Sequence, residues 1–245
     1  MTRAVHDPSA LAATRRVSAM DWSRVADDLE RDGCAGTGKL LTAADCRRLK
    51  ALYEDEGAFR KRVVMEQRGF GQGEYRYLSY PLPSVVQALR EAIYPRLAPI
   101  ANRWREALRQ PVSFPPTLAG YLARCHRAGQ SRPTPLILKY GPGDYNCLHQ
   151  DLYGDLVFPL QLTLLLSSPE EDFRGGEFML VENRPRRQAR GRVVALRRGE
   201  AVVFPVRERP VLGARGPYRA TMRHGVSPLH SGERFTLGII FHDAA

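Results

Sequence analysis

Two hydrophobic periods divide the chain. Over residues 21–110 apolar side chains return every three to four positions, first as Trp22, Val25 and Leu29 and later as Leu49, Leu52 and Tyr53, which predicts mainly helix. Thr42 reads as a helix N-cap, its hydroxyl accepting an N–H bond, and Asp45 three residues on suits the positive helix end. Two further helices are expected over 82–94 and 98–109, punctuated by Pro95 and Pro99. The glycine-rich run 69–77 predicts a loop or short hairpin; it lacks the strand-before, helix-after setting of a phosphate-binding loop.

From Pro135 the period shortens to that of extended chain. Strands are expected over 136–140, 160–166, 177–182, 192–196, 201–204, 219–224 and 235–241, separated by Gly and Pro turn signals. So many short strands point to an antiparallel sandwich or barrel rather than alternating β and α units. The fold class expected is therefore α+β, mainly β: a jelly-roll core over 121–245 with helices of 21–120 packed against it, forming one domain. Residues 1–20 read as a disordered tail in preference to a transit peptide.

Composition narrows the setting. No stretch approaches the roughly 18 apolar residues of a membrane span, and the start lacks an apolar signal core, so a cytoplasmic protein with no membrane partner is expected. Cys34, Cys46, Cys125 and Cys147 form no close pair, which argues against a disulfide framework or a structural zinc site. The net charge of +11 favours polyanions such as nucleic acid. Nearly all of it is arginine, however, which coding bias would also produce, and a basic surface is an ordinary aid to solubility.

The chemistry concentrates in two segments. In extended chain, residues i and i+2 face the same side, so His149 and Asp151 can present an imidazole and a carboxylate to one point. A second histidine would complete one face of an octahedron and leave three adjacent positions open, which suits Fe(II) that must take a chelating co-substrate and O2 together. His224 is the favoured third ligand over His230, in a turn, and His242, near the C-terminus, where solvent-exposed roles suit both. His126 and His6 read as surface residues. Ten residues after His224, across a strand, a turn and a second strand, Arg234 can face the same interior, where its planar fork would hold a carboxylate in two parallel bonds. Thr236, on the same face, could add a hydroxyl bond, although a threonine in a strand needs no such role.

In order, His149-x-Asp151, the strand start Gly175-Gly176-Glu177-Phe178, the run 199–205, and His224-Gly225-Val226 with Arg234 ten residues on resemble the 2-oxoglutarate/Fe(II) dioxygenase superfamily over about residues 135–242. The resemblance implies a double-stranded β-helix, Fe(II) held by His149, Asp151 and His224, and O2 and 2-oxoglutarate as co-substrates. It also implies that the distal carboxylate of 2-oxoglutarate pairs with Arg234. Tyr140 occupies a position similar to a tyrosine that bonds the co-substrate in several members; packing as a strand aromatic is its other reading.

A longer pattern, with 70–77, Pro81-Leu82-Pro83 and 183–188, is similar to a bacterial branch suspected of oxidising nucleic-acid bases as AlkB-type demethylases do. The chain has features that suit such a substrate: the arginine cluster Arg184, Arg186, Arg187, Arg190 and Arg192 could bind phosphates, with Arg186 and Arg187 foremost, and Tyr75, Tyr77 or Tyr153 could stack on an extruded base. A solvated basic hairpin tip with inward-packed tyrosines is the competing reading. Two rival functions remain: a hydroxylase of protein side chains or small metabolites, and a non-catalytic jelly-roll binding module.

Overall fold

The computed structural model describes residues 7–111, 113–152 and 154–245. In chain order the elements are α1 (Pro8–Ser18), α2 (Trp22–Asp32), β1 (Ala35–Lys39), α3 (Ala43–Ala51), β2 (Phe59–Val64), β3 (Gly71–Gln72), β4 (Glu74–Leu78), α4 (Ser84–Ala107) and α5 (Leu118–Arg127). There follow β5 (Leu136–Tyr140), β6 (Tyr145–His149), β7 (Leu160–Leu165), β8 (Phe173–Gly175), β9 (Phe178–Asn183), β10 (Arg190–Val194) and β11 (Glu200–Pro205). The chain closes with β12 (Glu208–Gly213), β13 (Gly216–Val226), β14 (Leu229–Gly232) and β15 (Arg234–Ile240).

Two antiparallel sheets face each other as a double-stranded β-helix. The larger runs β1-β11-β7-β15-β5-β4-β2; the smaller runs β10-β9-β13-β6-β3, with β12 also on β13. Central strands of the larger sheet are buried on both faces, and alternation assigns each face a task. Phe235, Leu237 and Ile239 of β15, with Leu160, Leu162 and Leu164 of β7, enter the core shared with the helices. Arg234, Thr236, Gly238 and Ile240, with Gln161 and Thr163, line a cavity between the sheets. A shift of one residue in β15 would exchange these sets.

The seven strands expected from the period are all present, with ends displaced by up to three residues. Thr42 caps α3 in a full capping box, accepting from the Asp45 N–H at 3.1 Å while the Asp45 carboxylate accepts from the Thr42 N–H at 2.9 Å. Three expectations need correction. The segment 8–18 is a helix, not a disordered tail: Asp7 caps it, Pro8 opens it, and Ala10, Ala13 and Val17 are buried on one face, with the helix lying along α4. The helices expected over 82–94 and 98–109 are one helix, α4, with Pro95 and Pro99 inside it. Its buried stripe runs unbroken through Leu89, Ile93, Leu97, Ile100 and Trp104, and that burial outweighs a cost of about 3 kcal/mol per interior proline. Finally, the 21–110 region is not mainly helical alone, since β1, β2 and β4 extend the larger sheet by pairing with β11, β4 and β5.

The glycine-rich run is a hairpin-like crossing whose two strands join different sheets, β3 on β6 and β4 on β5. Gly71 makes the crossing possible, because at φ 123° a Cβ there would lie 2.3 Å from the Tyr145 carbonyl oxygen.

The end of β15 is tied to the helical layer by a buried ion pair. Arg90 of α4 meets Asp243 at 2.8 Å and donates to the carbonyls of Ile240 and His242 at 3.1 and 3.2 Å. Asp243 also accepts from the Tyr80 hydroxyl at 3.0 Å and contacts the His126 Nε2 at 2.8 Å. Removing one partner would strand a buried charge. Asp243→Ala should therefore destabilise the protein by about 3–5 kcal/mol in denaturant unfolding, and adding Arg90→Met should restore much of that loss.

Candidate functional site

β6 and β13 pair with His149 directly opposite His224, so two residues far apart in sequence meet across one ladder step. Their ring centroids are 4.1 Å apart. Asp151, just past the end of β6, closes the group: Oδ2 lies 3.1 Å from His224 Nε2 and Oδ1 3.4 Å from His149 Nε2. All three ligating atoms lie within 4.8 Å of one another, compact enough to hold one metal ion. Nδ1 of His149 donates to the Cys147 carbonyl at 2.8 Å, which fixes the tautomer and leaves the Nε2 lone pair aimed at the shared point.

The electrostatics suit a cation there. Burial opposes ionisation of Asp151, but the His224 and His149 imidazoles hold its carboxyl well below the usual carboxylate range. Burial pushes His224 down; for His149 burial acts the same way, but the Asp151 bond outweighs it and the net direction is up. Two neutral imidazoles and one carboxylate are the forms a divalent ion binds.

Arg234 stands at the other end of the same cavity, 3% exposed, with Nε and Nη1 buried and without hydrogen-bond partners. A buried guanidinium with unmatched donors is costly, and here the donors border a cavity of about 260 Å³. Its carbon sits 5.6 Å from the Tyr140 ring centroid and 5.9 Å from that of Phe173. Tyr140 is its cross-strand partner, and burial pushes the Tyr140 hydroxyl up to about 12. Thr236, one step further along the same face of β15, also lines the cavity. The Gly175-Gly176 turn, both residues at positive φ, permits this packing, since a Cβ on Gly176 would come within 3.0 Å of Arg234 Cδ.

His149, Asp151, His224, Tyr140, Arg234 and Thr236 all line one cavity. The substrate-side residues divide. Tyr75 lines the cavity, whereas Tyr77 is buried, stacked edge-on to Tyr75 at 5.4 Å and covered by Arg60, so it cannot offer a face to a base. Arg186 and Arg187 are exposed at the β9–β10 turn and do not line the cavity. Arg184 and Arg192 are engaged by Glu182 and Asp32, and Tyr153 lies outside the described residues. Of the rival histidines, His230 is exposed as expected, but His242 is fully buried; its Nδ1 accepts from the Phe158 N–H at 3.2 Å and burial holds the imidazole down to about 4. The apolar neighbours of 240–242 made that burial readable. Phe70, Leu152, Gln161 and Thr163 line the cavity without having been anticipated; the polar Gln161 and Thr163 in the apolar run 160–166 were the visible signal.

Fold and site together define a jelly-roll protein with an internal cavity and three convergent side chains able to ligate one ion. Residues 73–244 match the model of a family described as an oxygenase catalysing oxidative methylation of damaged DNA, and the chain belongs to that family. Two uncharacterized proteins, from two strains of Mycobacterium tuberculosis, are each 53% identical over 165 residues, covering 67% of this chain and 71% of theirs. Among solved structures, a Pseudomonas putida prolyl-4-hydroxylase shares the fold at TM-score 0.53 and 18% identity, covering 89% of this chain and 96% of its own. A Burkholderia pseudomallei oxidoreductase of the 2OG-Fe(II) oxygenase family does so at TM-score 0.50 and 15% identity, covering 91% and 92%.

Proposed function

We propose that this oxygenase uses Fe(II), 2-oxoglutarate and O2 to oxidise a C–H bond of a nucleic-acid base. The observation that carries the reading is Arg234: a buried, unpartnered guanidinium opening on the same cavity as His149, Asp151 and His224. Its fork matches a carboxylate, and a dicarboxylate bound there can extend toward the metal-binding side chains. When bound, the iron, 2-oxoglutarate and O2 supply oxidation of a substrate C–H bond with release of succinate and CO2.

The chain's own residues do the rest. His149, Asp151 and His224 would hold the ion through three side chains whose ligating atoms lie within 4.8 Å of one another, a set with too few protein ligands to close its coordination against exchangeable groups. Arg234 fixes the far carboxylate, and Thr236 stands where its hydroxyl can share that contact. Tyr140, protonated at neutral pH, can donate to the same acid. The apolar walls, including Phe178 and Phe204, keep water from the reacting atoms.

For the substrate, support comes from the matched family's description and from surface charge. Arg186 and Arg187 stand exposed on a hairpin where a phosphate backbone can reach them, and Tyr75 offers an aromatic wall. The structural neighbours include prolyl hydroxylases, so a peptidyl-proline substrate is the competing reading the assay must address.

Anaerobic addition of Fe(II) and 2-oxoglutarate should produce a weak visible charge-transfer band, present in wild type and absent in His149→Ala; its persistence in the variant would remove His149 from the metal site. Arg234→Met should retain Fe(II) binding but weaken 2-oxoglutarate by about 2–5 kcal/mol, read from the titration midpoint of that band. Under O2, single-stranded oligonucleotides bearing methylated bases should stimulate succinate release, less so at high salt. Stimulation by proline-containing peptides alone, or equally by unmodified oligonucleotides, would overturn the base-oxidation reading.

A further inference from the structure

The cavity holds a second buried polar group with an unmatched donor, apart from Arg234 and from the His149–Asp151–His224 group. Gln161 on β7 is 3% exposed, and its Nε2 is buried without a hydrogen-bond partner. Leaving such a donor unmatched inside a folded protein is unfavourable by about 1–3 kcal/mol, and each case calls for an explanation. Its neighbours are apolar: Ile240 is its partner on β15 and Phe204 its partner on β11.

Register locates Gln161 relative to the rest. Along the cavity face of β15, Arg234 lies opposite Tyr140, Thr236 opposite Leu165, Gly238 opposite Thr163 and Ile240 opposite Gln161. Six residues of strand therefore separate the levels of Arg234 and Gln161, about 20 Å along the ladder. Phe204, at the level of Gln161, packs its ring 4.9 Å from that of His224. The triad thus adjoins the Gln161 end, and a dicarboxylate seated on Arg234 would approach the triad from the opposite side. Leu152, on the segment following Asp151, lines the cavity while remaining 48% exposed, which places an opening beside this end.

We propose that Gln161 is a specificity-determining residue whose carboxamide hydrogen-bonds the polar edge of the base held for oxidation, with Leu152 and the Phe204 wall against its apolar faces. The proposal rests on the base-oxidation reading and adds the group that selects among bases. A carboxamide suits that task because it carries a donor and an acceptor side by side, matching the paired donor and acceptor of a base edge in either orientation of the amide. A site built to satisfy a substrate hydrogen bond rejects an analogue lacking it far more strongly than an apolar pocket rejects one of the wrong size.

The test compares wild type, Gln161→Leu and Gln161→Glu on single-stranded oligonucleotides of one sequence, each bearing one methylated adenine or one methylated cytosine. Gln161→Leu should raise KM for the preferred oligonucleotide about tenfold or more and flatten the preference between the two bases. Gln161→Glu, which keeps the shape and loses the donor, should alter the preference without abolishing folding. Neither variant should change the Fe(II)/2-oxoglutarate charge-transfer band or its 2-oxoglutarate midpoint. Unchanged KM and base preference in Gln161→Leu, with wild type active on the oligonucleotides, would overturn the role of Gln161 and leave the base-oxidation reading standing. A shifted 2-oxoglutarate midpoint would overturn it by placing Gln161 in the co-substrate site. If wild type is stimulated by neither oligonucleotide, the base reading fails and this inference with it.

Discussion

The arrangement depends first on the pairing of β6 with β13, which sets His149 opposite His224. The contact is a backbone ladder step between segments 75 residues apart in number, so its cost in chain entropy is met by the sheet as a whole rather than by the site. Gly225 lets the strands approach there, since a Cβ on it would lie 2.6 Å from the Asn146 carbonyl oxygen. With that step fixed, Asp151 needs only to follow β6 by two residues to reach both imidazoles. A slip of one residue would turn either histidine out of the cavity.

The second constraint is the alternation of β15. One face supplies Phe235, Leu237 and Ile239 to the helix-side core, and the other presents Arg234 and Thr236 to the cavity. Burial of the first set therefore enforces the placement of the second. The Arg90–Asp243 pair secures the far end of the same strand, so a helix remote from the His149–Asp151–His224 group helps hold the register on which the cavity depends. Stability and chemistry share the sheet: the protein tolerates unmatched buried donors at Arg234 on β15 and at Gln161 on neighbouring β7, within a scaffold whose other face is packed against the helices.

Much of this was legible in the sequence because it is periodic. The strands of the core, the Thr42 cap and the grouping of His149, Asp151, His224 and Arg234 all follow from spacing along extended chain. What escaped notice was set by tertiary contact. β1, Ala35–Lys39, is glycine-rich with little apolar side chain of its own, and β2 and β4 sit among helical periods, so all three are strands because they pair with β11, β4 and β5 of the larger sheet. Local preference makes Pro95 and Pro99 break points, whereas a continuous buried stripe carries α4 through both. Tyr75 and Tyr77, two apart on β4, share one strand face by period, and packing under Arg60 decides that only Tyr75 lines the cavity. Gln161 was visible as a polar residue in an apolar run, yet its unmet donor could be recognised only once the walls of the cavity were in place.

The central claim is that this cavity couples oxidation of a substrate to decarboxylation of an acid seated on Arg234. Reaction under 18O2, with mass analysis of the succinate formed, tests it most directly. The account predicts that the succinate gains one 18O atom from the gas and that its formation is lost in His224→Ala. Succinate free of label, or formed as readily by that variant, would contradict it.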